Sequence, residues 1–143
     1  YASQSGHTRV VKLLLGKGAS VDKQAKDGDT VLMWAIKEGH TEVVQLLLDW
    51  GASLDGKNKD GTTVLMQAFI APAGVASAVW ASEKGSKVVQ LLLDKGASVD
   101  EKDKDGRTAL MQASQSGHTE VVKLLLDRGA SIDEKNMRGY TAL

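Results

Sequence analysis

Three histidines recur in one context. His7, His40 and His118 each follow a glycine and precede a threonine. A row of imidazoles is the raw material of a metal site or a proton relay. One histidine per stacked repeat, however, puts neighbours about 8–10 Å apart, too far to share an ion. They are expected to build turns. The run Glu101-Lys102-Asp103-Lys104-Asp105-Gly106 has the acidic spacing that opens a calcium loop. Its twelfth position is Gln112, where such a loop needs a bidentate glutamate. Gly16-Lys17-Gly18 lacks the spacing of a phosphate-binding loop. Every serine and histidine that could join a nucleophilic triad belongs to a repeated phrase instead. There is no cysteine, so neither a disulfide nor a thiolate metal site can form. The expectation is no enzyme, no metal and no cofactor.

The elements that would position these residues are set by repetition. Gly6-His7-Thr8-Arg9-Val10-Val11-Lys12-Leu13-Leu14-Leu15 returns as Gly39 to Leu48, as Gly85 to Leu93 and as Gly117 to Leu126. Each copy closes on Gly-Ala-Ser, at Gly18, Gly51, Gly96 and Gly129, so the intervals are 33, 45 and 33 residues. A fixed period in this range signals a stacked array, and such arrays bind partners far more often than they do chemistry.

Residues 105–137 show one unit. Asp105-Gly106 marks a tight turn. Thr108 is placed to cap a short helix over Ala109 to Ser116. Gly117 ends that helix, and Thr119 offers a second cap. Val121, Val122, Leu124, Leu125 and Leu126 then form an apolar stripe wider than one neighbour can cover. Gly129 closes the second helix in the left-handed conformation. Helices of about nine residues do not hold alone in water, so stacking must hold them.

This frame resembles the ankyrin repeat, whose unit reads approximately Asp-x-x-Gly-x-Thr-Pro-Leu-His-x-Ala-Ala, then Gly-His, Val-Val, Leu-Leu-Leu and Gly-Ala. Its first half stands here as Gly28 to Ala35, Gly61 to Ala68 and Gly106 to Ala113. The family's proline is Val31, Val64, Ala109 and Ala142, and its histidine is Met33, Met66 and Met111. The resemblance implies an all-α solenoid of helix-turn-helix units with projecting β-turn or hairpin loops. It also implies a module that binds a protein or peptide through its concave face and loop tips. The alternatives are a targeting or regulatory fragment of an enzyme or channel whose chemistry lies outside this segment, or a structural spacer. One array fills 1–143: a partial repeat at 1–26, repeats at 27–59, 60–104 and 105–137, and the start of another at 138–143.

Residues that differ between copies are the candidates for contact. Tyr1 and Trp34 share a first-helix position with Gln67 and Gln112, and Gln4, Lys37 and Gln115 lie one turn on. Asp29, Thr62, Arg107 and Tyr140 share a loop position. The tips Lys26-Asp27, Lys59-Asp60 and Lys104-Asp105 stack lysines beside aspartates, then break to Met137-Arg138. Trp50, where other copies carry lysine or arginine, is expected to face solvent.

The third repeat carries 12 extra residues within 69–84, including Phe69, Pro72, Gly74 and Trp80. This apolar insertion either packs back on neighbouring helices or presents a docking element. Lysine and arginine balance aspartate and glutamate, 18 against 18, which argues against a nucleic-acid partner. The longest apolar stretch, Ala68 to Ala81, is shorter than the roughly 20 residues a membrane span needs. An intracellular, cytoplasmic setting is expected. Tyr1 matches Gln112 and so falls inside a helix, while Leu143 opens one. These ends suggest a piece of a longer array, with Val10, Leu13 and Leu14 uncovered and head-to-tail stacking of two copies possible.

Overall fold

A computed structural model describes residues 1–70 and 83–143. The insertion's central residues, Trp80 among them, therefore lie outside the described residues. Among the described residues seven α-helices follow one another: α1 (Thr8–Gly16), α2 (Val31–Lys37), α3 (Thr41–Asp49), α4 (Val64–Gln67), α5 (Glu83–Asp94), α6 (Ala109–Gln115) and α7 (Thr119–Asp127). Helices α2 and α3 pack as a pair, as do α4 and α5, and α6 and α7. The second helices stack on one another in the order α1, α3, α5, α7. The fold is an all-α repeat stack.

Each first helix begins for the same reason. Thr30, Thr63 and Thr108 have extended backbones, and their hydroxyls accept the amide N–H of Met33, Met66 and Met111 at 3.2, 3.3 and 3.3 Å. This satisfies a donor that the helix itself cannot. The methionines are buried, so they fill the core beneath that turn.

Helices α1, α3 and α7 are not capped this way. Thr119 is the first residue of α7, and His118 holds the cap position without a side-chain hydrogen bond. The carbonyl of His118 instead accepts from Val122 at 2.9 Å. At the other end Gly129 has φ +83°, and Ala130 donates to Leu125 at 3.0 Å. That bond closes the helix as a glycine C-cap does.

The structure departs from the repeat frame in three places. Residues 2–6 form turns, so Tyr1 does not sit in a helix, and residues 141–143 are not helical. Only one turn of first helix is present in the third repeat: α4 ends at Gln67, well before Pro72. Tighter bonds follow it, from Phe69 to Met66 at 2.9 Å and from Ile70 to Gln67 at 3.3 Å. Finally, aligning the leucine triplets puts Gly85, not Ser86, in the place of His40 and His118. Gly85 is helical, and α5 runs 12 residues where α3 and α7 run 9.

The apolar stripe is buried on its inner side, while in α7 Val122 and Leu124 are half-buried and Leu126 is exposed. Val43, Val44 and Leu47, then Val88, Val89 and Leu92, then Val121 and Leu125 join one cluster that runs through the stack. Val10, Leu13 and Leu14 are 46%, 64% and 48% exposed, on a side of α1 that none of the described residues covers.

Candidate binding surface

The loop tips are built from side chains that fold back onto their own backbone. Asn58 Oδ1 accepts from the amides of Asp60 and Thr62 at 3.0 and 2.9 Å. Asp103 Oδ1 does the same for Asp105 and Arg107, and Asn136 Oδ1 for Arg138 and Tyr140. A short acceptor two residues ahead of a turn is the physical basis of an Asx turn. Antiparallel bridges Gln24–Thr30 and Lys57–Thr63 close the hairpins beneath the first two tips.

Successive tips are also tied to each other. The amides of Lys59, Lys104 and Met137 donate to the carbonyls of Asp27, Asp60 and Asp105 at 2.9, 3.0 and 2.9 Å. The approach is close enough to demand glycine. A Cβ on Gly28 would meet the Lys59 nitrogen at 2.9 Å, and one on Gly61 would meet the Lys104 nitrogen at 2.9 Å. The result is an edge of stacked backbone, braced at every step.

On this edge the predicted residues separate. Lys26, Asp27, Lys59, Asp60, Lys104, Asp105, Met137, Arg138 and Tyr140 are exposed, and so are Tyr1, Gln4 and Gln115. Trp34 is half-buried, with the Lys37 ammonium 4.6 Å above its ring. That is the geometry of a cation–π contact. Arg107 is half-buried: its Nε lies 2.9 Å from Asp103 Oδ2 and its guanidinium 3.0 Å from Asp105. Four other candidates do not reach the surface. Asp29, Thr62, Gln67 and Gln112 are buried. Asp29 accepts from the Asn58 side chain at 2.7 Å, and Gln112 donates weakly to Asp103 at 3.4 Å. Sequence variation between copies reported these four as surface, yet they only vary inside the packing.

Phe69 is half-buried and packs on His118, ring centroids 6.2 Å apart. The three histidines thus have different surroundings. The ring N–H of His40 donates to the Gln4 carbonyl at 2.9 Å, His118 is buried against Phe69, and His7 is exposed. Among the described residues no three of histidine, aspartate and glutamate converge as a metal site would require. The carboxylate of Asp103, first acid of the supposed calcium loop to be buried, is committed to its own turn and to Arg107. No helix of the described residues is long and apolar enough to cross a membrane.

Sequence reading missed the pairs that lock neighbouring repeats. Lys57 reaches Glu101 and the Lys102 carbonyl of the next repeat, and Lys102 reaches Glu134 and the Lys135 carbonyl. Asp49 faces Lys95 at 3.5 Å, and Asp94 bonds Arg128. Each residue and its partner stand about one period apart with opposite charge, a pattern that names the pairs only once the stacking direction is known.

No curated protein sequence matches the chain. A family model described as ankyrin repeats (3 copies) matches residues 1–78 and again 78–143. With the capped first helices, the stacked second helices and the tip-to-tip hydrogen bonds already described, this makes the chain a member of the ankyrin-repeat family, whose repeats are generally protein–protein interaction modules.

Proposed function

We propose that residues 1–143 act as one non-catalytic array that holds a protein or peptide partner along its loop tips and first helices. The observation that carries this reading is the braced edge. Backbone bonds fix the tips, so the side chains on them are free to differ without cost to the core. Lys26, Lys59 and Lys104 with their aspartates supply orientation and a fast encounter. Trp34, exposed on one face and held under Lys37, is the aromatic anchor, and Tyr140 is a second.

The test uses a partner captured by the whole chain. Trp34→Ala, Tyr140→Ala and Trp80→Ala are then compared by calorimetry. We expect Trp34→Ala to weaken binding about tenfold or more, as truncating an anchor does. Binding that survives all three changes would remove this surface from consideration. A capture no different from that of an unrelated array would favour the spacer reading.

A further inference from the structure

The outward stripe of each second helix holds the same three positions, each about one turn from the next. On α3 they are Glu42, Gln45 and Asp49, on α5 Lys87, Gln90 and Asp94, and on α7 Glu120, Lys123 and Asp127. Acids stand in the first turn of α3 and α7, where the positive end of the helix dipole favours them. Glu120 then bonds Lys123 at 3.1 Å. The aspartate at the far end meets a cation of the following repeat: Asp49 faces Lys95 at 3.5 Å, and Asp94 bonds Arg128.

Helix α1 breaks this pattern twice on the same stripe. Arg9, Lys12 and Gly16 stand at the three positions, with Lys17 beside them. No acid lies in the first turn of α1, so Arg9 opposes the dipole and has a like charge at Lys12. Among the described residues no carboxylate pairs with Arg9 or Lys12. Glu42, across on α3, accepts from the Thr8 hydroxyl at 3.4 Å. At the other end of the stripe Gly16 removes the aspartate, and Trp50 stands where later repeats carry the cation. Its side chain is 46% exposed. A Cβ on Gly16 would meet nothing within 4 Å, so the place of the missing carboxylate is open. The same positions are exposed on α5 and α7, so their exposure does not depend on which repeat carries them. Both departures work against the stack, one by a poor match to the dipole and one by a lost ion pair. Local rules broken together, with no gain to the frame, mark a site kept for another purpose.

We propose that the outer stripe of α1, closed at its far end by Trp50, docks an acidic amphipathic helix of a partner protein. Two carboxylates one turn apart on that helix meet Arg9 and Lys12. An apolar side chain one turn further on seats against the Trp50 indole in the notch over Gly16. From Arg9 to Gly16 is about 10 Å at 1.5 Å per residue, a span that about two turns of a helix laid alongside reproduce. Charge selects this stripe among the four. Residues 8–18 hold Arg9, Lys12 and Lys17 and no acid, whereas the matching residues 41–51 hold Glu42 and Asp49 and no cation. A broad anionic surface such as a membrane fits less well, because the exposed Glu42, Asp49, Asp94 and Glu120 would meet it from the neighbouring helices.

This site uses none of the loop-tip or first-helix residues assigned above, so either surface can fail without the other. The probe is an alanine-based helical peptide of about 15 residues. Its glutamates stand at i, i+3, i+11 and i+14 around a central leucine at i+7, so it fits in either direction. Titrated into the whole chain and followed by amide chemical shifts, it should move the signals of α1 and the Trp50 indole N–H. The same peptide with lysine for glutamate should leave them in place. Gly16→Asp combined with Trp50→Lys rebuilds the pair that later junctions carry, so the fold is kept, and binding should weaken about tenfold or more. Arg9→Glu gives α1 the first-turn acid of α3 and α7 and should weaken binding about three- to tenfold. No shift with the glutamate peptide, whether or not phosphatidylserine vesicles bind, would overturn the proposal. So would an equal response to the lysine peptide, or affinity unchanged in both variants.

Discussion

The junction between the first two repeats and the junction between the last two share an apolar frame and several backbone ties, Ser53 to Asp22 matching Ser131 to Asp100, and differ in their ion pairs. Val11 and Leu15 are buried beneath α3 much as Val88 and Val89 are buried within the stack. At the later junction Asp94 bonds Arg128 and Lys102 pairs with Glu134. At the earlier junction the positions of Asp94 and Arg128 are Gly16 and Trp50, and those of Lys102 and Glu134 are Gln24 and Gly56. Only turns stand where the first repeat's first helix would be, and α1 leaves three large apolar side chains open. The contrast teaches that leucine triplets make a stack possible, while polar pairs and a covered second side decide how firmly each member holds.

The largest effect should come from the frame itself. Leu47 is fully buried and Leu14, its counterpart in α1, is 48% exposed. Leu47→Ala should cost about 2–5 kcal/mol, the range for a buried leucine left as a cavity. Leu14→Ala should cost well under half of that, because less apolar area leaves the packing. Urea melts of the two variants check this. Equal losses would mean the first repeat is as tightly packed as the second.

A smaller effect sharpens the polar side of the contrast. Replacing Gly16 with Asp and Trp50 with Lys gives the first junction the pair that the others have. A Cβ on Gly16 meets nothing within 4 Å, so the change is free of clash. The coupling should be about 0.2–1 kcal/mol, the range for exposed ion pairs. A double-mutant cycle measures it directly. No coupling would mean that these ladders decorate the stack without tightening it.

Most of the frame was legible before any coordinates. Thr108 announced its helix because a hydroxyl ahead of an apolar run has a donor to satisfy. Gly28, Gly61 and Gly106 announced turns, and each has a positive φ of 75–86°. The leucine triplets announced the spine through their width. What escaped had physical causes. The extra turn at the start of α5 has no counterpart in α3 or α7, because the insertion precedes it. Gln67 and Gln112 vary with Trp34 and Tyr1, but variation is not exposure: a position can change residue type while staying inside. Inter-repeat pairs such as Lys57 with Glu101 become visible only once a stacking direction is known, because that direction decides which neighbour a side chain meets.

Residue-resolved hydrogen exchange of the native chain tests the central claim, that each helix survives by leaning on its neighbours. The account predicts that α1, covered on one side and without an ion pair like that of Asp94 with Arg128, opens at far lower free energy than α3, which is covered on both sides. Amides of α1 protected as strongly as those of α3 would contradict it.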